Sequence, residues 1–315
     1  MSLNQQDLEK HCETIMKSRR VKNKIVVLCE GDINRYKDRP SPQTYRELEK
    51  WPDANFYKAC VWWDQYKPEF FNCGDRKDVL DTYLTLLNRH CEPVSDSYLN
   101  PAKLFAIVDL DIQSQQIDNY DFSDTEEIFY DLYDGMNVNE RNAARHRIWV
   151  TGLIHKEAYF LIPELQGIFD KFPNHPIYEN KPIRLKDIYL AMSDAITEDI
   201  DLRNNLQRVC ERIRYCSGLD CTGAGRLKET WKEHFQNVRD DTRRDELISA
   251  LLTIRKAKDY WNQINTIDNE WTGTAEKFRD QLMLRIAVFY SGIGKSSNNA
   301  KYHIPFFFKT LHEVL

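Results

Sequence analysis

The chain has 315 residues, 42% of them apolar and 30% charged, with a formal net charge of −5. This is the composition of a folded globular protein, and it excludes a disordered, collagen-like or low-complexity chain. The acidic balance also excludes a global positive field for nucleic acid, so any such contact has to rest on a local basic patch or a bound cation. At ~150 residues per domain, the length suggests two domains. No run approaches the ~18 successive apolar residues of a membrane span, and residues 1–24 lack the apolar core of a secretory signal. A cytoplasmic protein with no membrane partner is expected, its eight cysteines reduced. No two cysteines form a C-x-x-C pair, which argues against a zinc knuckle.

Residues 24–29 (Lys-Ile-Val-Val-Leu-Cys) are a short apolar run closed by Glu30-Gly31-Asp32, which predicts a buried strand. Residues 42–51 have helical character, and residues 55–63, rich in aromatics, read as a second strand. An amphipathic helix is expected over residues 75–90, with Val79, Leu80, Tyr83, Leu86 and Leu87 at helical spacing. Residues 103–108 make a third strand, broken by Asp109-Leu110-Asp111. Ser123-Asp124-Thr125-Glu126 resembles a capping box and opens a helix reaching Tyr133. Residues 147–154 predict a fourth strand, followed by His155-Lys156-Glu157. Beyond it, Pro163, Pro173, Pro176 and Pro182 mark a boundary near residues 165–182, and residues 185–290 read as successive helices.

The expected architecture is α/β. A parallel sheet flanked by helices would occupy residues 1–168, with its core at about 24–165, and a mostly α-helical region would occupy residues 182–315. Near the end of the chain, Gly292-Ile293-Gly294-Lys295-Ser296 invites a phosphate loop. The first glycine of that motif is replaced by Phe289, so a helix-terminal loop is expected instead.

Ligands of an open parallel sheet bind at the carboxyl ends of its strands. Two of the four expected strands end in acids, Glu30 after the first and Asp109 and Asp111 after the third. Strand alternation would put Asp109 and Asp111 on one side, beside Glu30 if the strands are neighbours. Three carboxylates that close require a compensating cation, and hard oxygen donors suit Mg²⁺ or Mn²⁺. The ordinary alternative makes each acid a loop residue or a helix N-cap.

In their order, residues 25–32 (Ile-Val-Val-Leu-Cys-Glu-Gly-Asp) and 106–111 (Ala-Ile-Val-Asp-Leu-Asp) resemble the signature of the Toprim superfamily. Residues 155–161 (His-Lys-Glu-Ala-Tyr-Phe-Leu) resemble the H-x-x-E-N-Y-like element of stand-alone, OLD-like Toprim proteins. The resemblance implies a Toprim-like fold and a divalent-metal-dependent nuclease acting on DNA or RNA, with a role in phage defence. It also implies a separately encoded ATPase as partner. Under it Glu30 is a metal ligand or general base, Asp109 and Asp111 hold the metal, and Glu157 is an accessory ligand. Lys156 or His155 would then face phosphate. Further basic candidates for nucleic-acid contact are Arg145 and Arg147 before the fourth strand, and Arg208 and Arg212 in the helical part. The chain alone leaves its oligomeric state open.

Two other functions are compatible with the same residues. The chain would serve as a non-catalytic interaction or sensor subunit if its carboxylates point apart or basic side chains fill their pocket. A phosphotransferase of the haloacid dehalogenase type would use Asp109 as nucleophile, Asp111 as acid and Thr151 as its second motif. That arrangement gives Glu30 no role.

Overall fold

The computed structural model describes residues 3–31, 33, 52–61, 67–91, 96–267, 271–293 and 297–313. The helix expected at residues 42–51 lies outside the described residues, as do Trp62, Trp63 and the Gly294-Lys295-Ser296 segment.

Helix α1 (Gln5–Met16) precedes β1 (Val26–Cys29), and α2 (Pro52–Cys60), β2 (Glu69–Asn72) and α3 (Arg76–Arg89) follow. Next come β3 (Leu104–Val108), α4 (Thr125–Leu132), a hairpin of β4 (Tyr133–Asp134) and β5 (Asn137–Val138), α5 (Glu140–Ala143) and β6 (Ile148–Val150). Four of these strands form one sheet in the order β2-β1-β3-β6, all parallel, with Val27 beside Phe70 and Phe105, and Ile107 beside Trp149. Every residue of β1, β3 and β6 is buried. A strand covered on both faces is apolar throughout instead of alternating, which is why these three were visible as short hydrophobic runs. Helix α3 packs on β3 and β1, α4 on β6, and α1 on α3.

The described part of the strand expected at residues 55–63 is not a strand, because Pro52–Cys60 is helical. Phe56, Tyr57, Cys60 and Val61 are buried while Lys58 and Ala59 are half-buried, a stripe at helical spacing. Periodicity does not separate helix from strand in a short apolar run, and the aromatic content tipped the expectation the wrong way. The second strand is instead Glu69–Asn72, a four-residue segment with polar ends. Its buried Glu69 is compensated by Arg20, by Lys24 at 3.5 Å and by Lys58 at 3.8 Å.

The second half is mainly helical, with α6 (Gln166–Lys171), α7 (Leu185–Asp194), α8 (Ile200–Asn204), α9 (Leu206–Arg212), α10 (Ala224–Asn237), α11 (Asp241–Ile254), α12 (Lys258–Asn262), α13 (Ala275–Gly292) and α14 (His303–Glu313). It also holds a small antiparallel sheet that the sequence did not announce, in which β7 (Pro176–Tyr178) pairs with β8 (Lys181–Pro182) and β9 (Asn265–Thr266). These strands have two or three residues each, too few to carry a periodic signal. One hydrophobic core runs through both halves. Trp149 of β6, for example, packs 5.0 Å from the ring of Phe307 in α14. Among the described residues, no helix is long and apolar enough to cross a membrane.

Candidate functional site

The strand order reverses between β1 and β3: the chain goes from β1 outward to β2, then crosses back to β3 and on to β6. A crevice opens at the carboxyl edge of a parallel sheet at such a reversal, because the connections leave in opposite directions. Here the crevice is a cavity of about 680 Å³, and every strand of the sheet delivers residues to it. Glu30 and Gly31 follow β1, Gly74 and Arg76 follow β2, Asp109 and Asp111 follow β3, and His155, Lys156 and Glu157 follow β6. Lys256, Lys258, Glu276 and Arg279 line the facing wall from the second half. Among the described residues the cavity is thus lined by five carboxylates and five lysine or arginine side chains, a formal balance of zero with His155 neutral.

Glu30 and Asp109 are tied directly across neighbouring strands: the Glu30 Oε1 accepts a hydrogen bond from the Asp109 backbone N–H at 2.7 Å. Gly31 and Gly74 close the floor beside them with reciprocal backbone bonds of 2.8 Å, and their φ values of 134° and 95° are ones L side chains rarely adopt.

Asp111 reaches the cavity by a different route from the one expected. Strand β3 ends at Val108, so strand alternation does not set its direction. Instead Asp111 takes a left-handed backbone conformation, φ 45°, with its N–H donating to Ile154 O at 2.9 Å and its Oδ1 accepting from the Ile112 N–H at 2.7 Å. Aspartate is among the few residues that tolerate this conformation, because its short side chain bonds the local backbone.

After β6 the chain forms a 3-10 turn, Lys156–Phe160. The His155 Nε2 accepts from the Ala257 N–H at 3.0 Å, which puts the imidazole proton on Nδ1, 3.0 Å from Glu157 Oε2. Lys156, only 5% exposed, brings its ammonium to 3.8 Å from the same carboxylate. Burial pushes the Glu157 carboxyl up, but the Lys156 charge and the His155 hydrogen bond more than reverse this and hold it well below the usual carboxylate range. Lys256 stands 3.9 Å from Asp111 Oδ1 and 2.9 Å from Asp201 Oδ2.

The donor chemistry fits a hard divalent cation in kind. In number it does not fit alone: among the described residues, no group of three or more His, Cys, Asp or Glu side chains closes around a point that could hold a metal. Mg²⁺ is commonly held by one or two carboxylates with the remaining positions taken by water and substrate phosphate. The Glu30–Asp109 pair is compatible with such a partial site, completed by a bound phosphate.

Of the basic residues expected at phosphate, Lys156 and His155 line the cavity and the four arginines do not. Arg145 is 70% exposed and pairs with Asp131 at 3.7 Å. Arg147 enters β6 at the opposite, amino edge of the sheet, its guanidinium 4.7 Å from the Phe105 ring. Arg208 bonds Asn205 Oδ1 at 2.9 Å and Ile112 O at 3.4 Å. Arg212 is turned inward, its side chain 0% exposed, and cannot reach a solvent-borne phosphate. Thr151 is buried and its hydroxyl is already engaged, accepting from the Leu110 N–H at 2.9 Å and donating to Leu153 O at 2.6 Å. Asp240 serves as the N-cap of α11 through the Arg243 N–H.

The charged cavity residues absent from the expectation are Arg76, Lys256, Lys258, Glu276 and Arg279. Arg76 opens α3 beyond the residue that directly follows β2, so the strand-end rule that found Glu30 does not reach it. Nothing local marks the other four. Comparison of the chain with protein-family models, with curated proteins and with solved structures finds no match in any of the three.

Proposed function

We propose that the protein is a Toprim-like, divalent-metal-dependent phosphodiesterase acting on nucleic acid, with Glu30, Asp109 and Asp111 as the metal-facing carboxylates. The single observation that supports it is the gathering of Glu30, Asp109, Asp111 and Glu157 with cationic side chains in one cavity at the sheet's carboxyl edge. A divalent cation bound there supplies Lewis-acid polarisation of a phosphate oxygen and a more acidic water. The chain's own residues do the rest. Glu30 and Asp109 offer hard oxygen donors across the strand reversal, and Lys156, Arg76, Lys258 and Arg279 supply positive charge for the phosphate chain. The His155–Glu157 contact fixes the turn that presents Lys156.

The charge balance gives the reading a specific consequence. With the described side chains balanced at zero the cavity holds neither ion strongly, whereas a bound divalent cation adds +2 and attracts phosphate, and phosphate in turn completes the cation's shell. Binding of the two is therefore reciprocally coupled. Calorimetry of Mn²⁺ on the wild type should give weak binding alone and ~5–150-fold tighter binding in the presence of a thymidine dinucleotide. Glu30→Gln and Asp109→Asn should lose the coupling and, in a parallel assay, cleavage of single- and double-stranded DNA and RNA. Absence of Mn²⁺ binding with and without the dinucleotide refutes the enzyme. It leaves the interaction-subunit reading, which the lack of a three-donor group among the described residues favours. The phosphotransferase reading gains nothing from Thr151, whose hydroxyl is spent on the backbone.

A further inference from the structure

Three consecutive carbonyls of the loop after β3 each receive a guanidinium. Arg76 Nη1 donates to Leu110 O at 2.9 Å, Arg212 Nη1 to Asp111 O at 2.6 Å, and Arg212 Nη2 and Arg208 Nη1 to Ile112 O at 3.5 and 3.4 Å. The amides of the same residues are equally occupied, Leu110 by Thr151 Oγ1, Asp111 by Ile154 O and Ile112 by the Asp111 carboxylate. Arg212 is itself held in place by Glu126 of α4, through Nε to Oε1 at 2.9 Å and Nη2 to Oε2 at 2.5 Å.

We infer that Arg212 is a positioning residue: fixed by Glu126, it holds Asp111 in its left-handed conformation, so that α9 of the helical half builds part of the cavity at the sheet's edge. A buried ion pair that only cements α9 to α4 would need two donors facing Glu126. Arg212 turns its third toward the one backbone carbonyl that follows the left-handed φ. The planar five-donor fork is what allows one side chain to serve both partners, and lysine, with a point-like ammonium, cannot reproduce it. The inference rests on the proposed function only for the consequence at the metal; the effect on the loop stands by itself.

The test uses the full chain with Arg212→Lys and Glu126→Gln. Amide hydrogen exchange at Leu110, Asp111 and Ile112 should accelerate ~10-fold or more in Arg212→Lys while the amides of β1 and β3 keep their protection. Mn²⁺ affinity in the presence of the dinucleotide should fall ~10–100-fold, the range seen when the support of a ligand is removed. In an Asp111→Asn background the same substitution should have little further effect, because it acts through Asp111. Glu126→Gln, which keeps the arginine but frees it, should move all readouts in the same direction and carries the test if Arg212→Lys fails to fold. Wild-type exchange at the three amides in a folded variant overturns the inference, as does an equal loss of Mn²⁺ affinity in both backgrounds. Accelerated exchange in a protein that binds no Mn²⁺ would instead sink the metal reading and leave the positioning role standing.

Discussion

His303 opens α14 fully buried, with neither ring nitrogen partnered among the described residues and its ring 4.5 Å from that of Tyr159. Desolvation lowers its pKa from 6.5 to about 3, so the folded protein keeps it neutral at pH values where the unfolded chain takes up a proton. A depressed pKa on a base gives stability that is intact above 6.5 and lost as pH falls from there toward 3. At pH 4.5, two units below the unfolded value, the loss is about 3 kcal/mol at ~1.4 kcal/mol per unit. Glu157, held low, forfeits its stability mainly below its own unfolded value of 4.5, and what it loses above that is common to the wild type and a His303 variant. Two other histidines share the His303 window, half-buried His11, lowered to about 4 by desolvation, and buried His146, also lowered by desolvation. The perturbation is therefore His303→Phe, which keeps a ring against Tyr159 and removes the proton site. Urea unfolding at pH 7.5 and 4.5 supplies the readout. The stability lost between the two pH values should shrink by about 3 kcal/mol in the variant, and any pH-independent packing cost cancels in the difference. An unchanged pH dependence would refute a buried neutral His303.

Two further substitutions probe the cavity's frame. Thr151→Val removes the hydroxyl that accepts from the Leu110 N–H and leaves that buried donor unsatisfied; it should cost about 1–3 kcal/mol in urea unfolding and weaken Mn²⁺ binding, and a neutral effect on both would show that the bond is dispensable. Gly74→Ala meets both a φ of 95° and a Cβ placed 2.3 Å from Asp78 Oδ2. Since Asp78 is half of the capping box that starts α3, about 2 kcal/mol should be lost and Arg76 shifted at the cavity lip. A wild-type melting temperature would contradict the strain argument.

The sheet was legible wherever a strand is buried on both faces, because Val26–Cys29, Leu104–Val108 and Ile148–Val150 then read as uninterrupted apolar runs. It was illegible at Glu69–Asn72, where polar termini and a buried, cation-compensated glutamate erase that pattern. Glu30, Asp109 and Asp111 were found by the rule that strand ends of a parallel sheet face its crevice, which needs only the strand and the few residues after it, whereas Glu157 came from the family resemblance. The cationic wall was not found, since Lys258 and Arg279 come to the cavity from helices α12 and α13 and Lys256 from the loop between α11 and α12, and no local pattern ties these segments to the sheet edge. Arg212 is the clearest case. In one dimension it is a basic residue on a polar helix, available for phosphate; in the folded chain its guanidinium is buried against Glu126 and the Asp111 carbonyl, both about a hundred residues away. Chain-local chemistry thus determined the three strands buried on both faces and the acids that follow two of them. Only tertiary packing decided which charges meet, because a charge's partner and its solvation depend on distances that sequence separation does not encode.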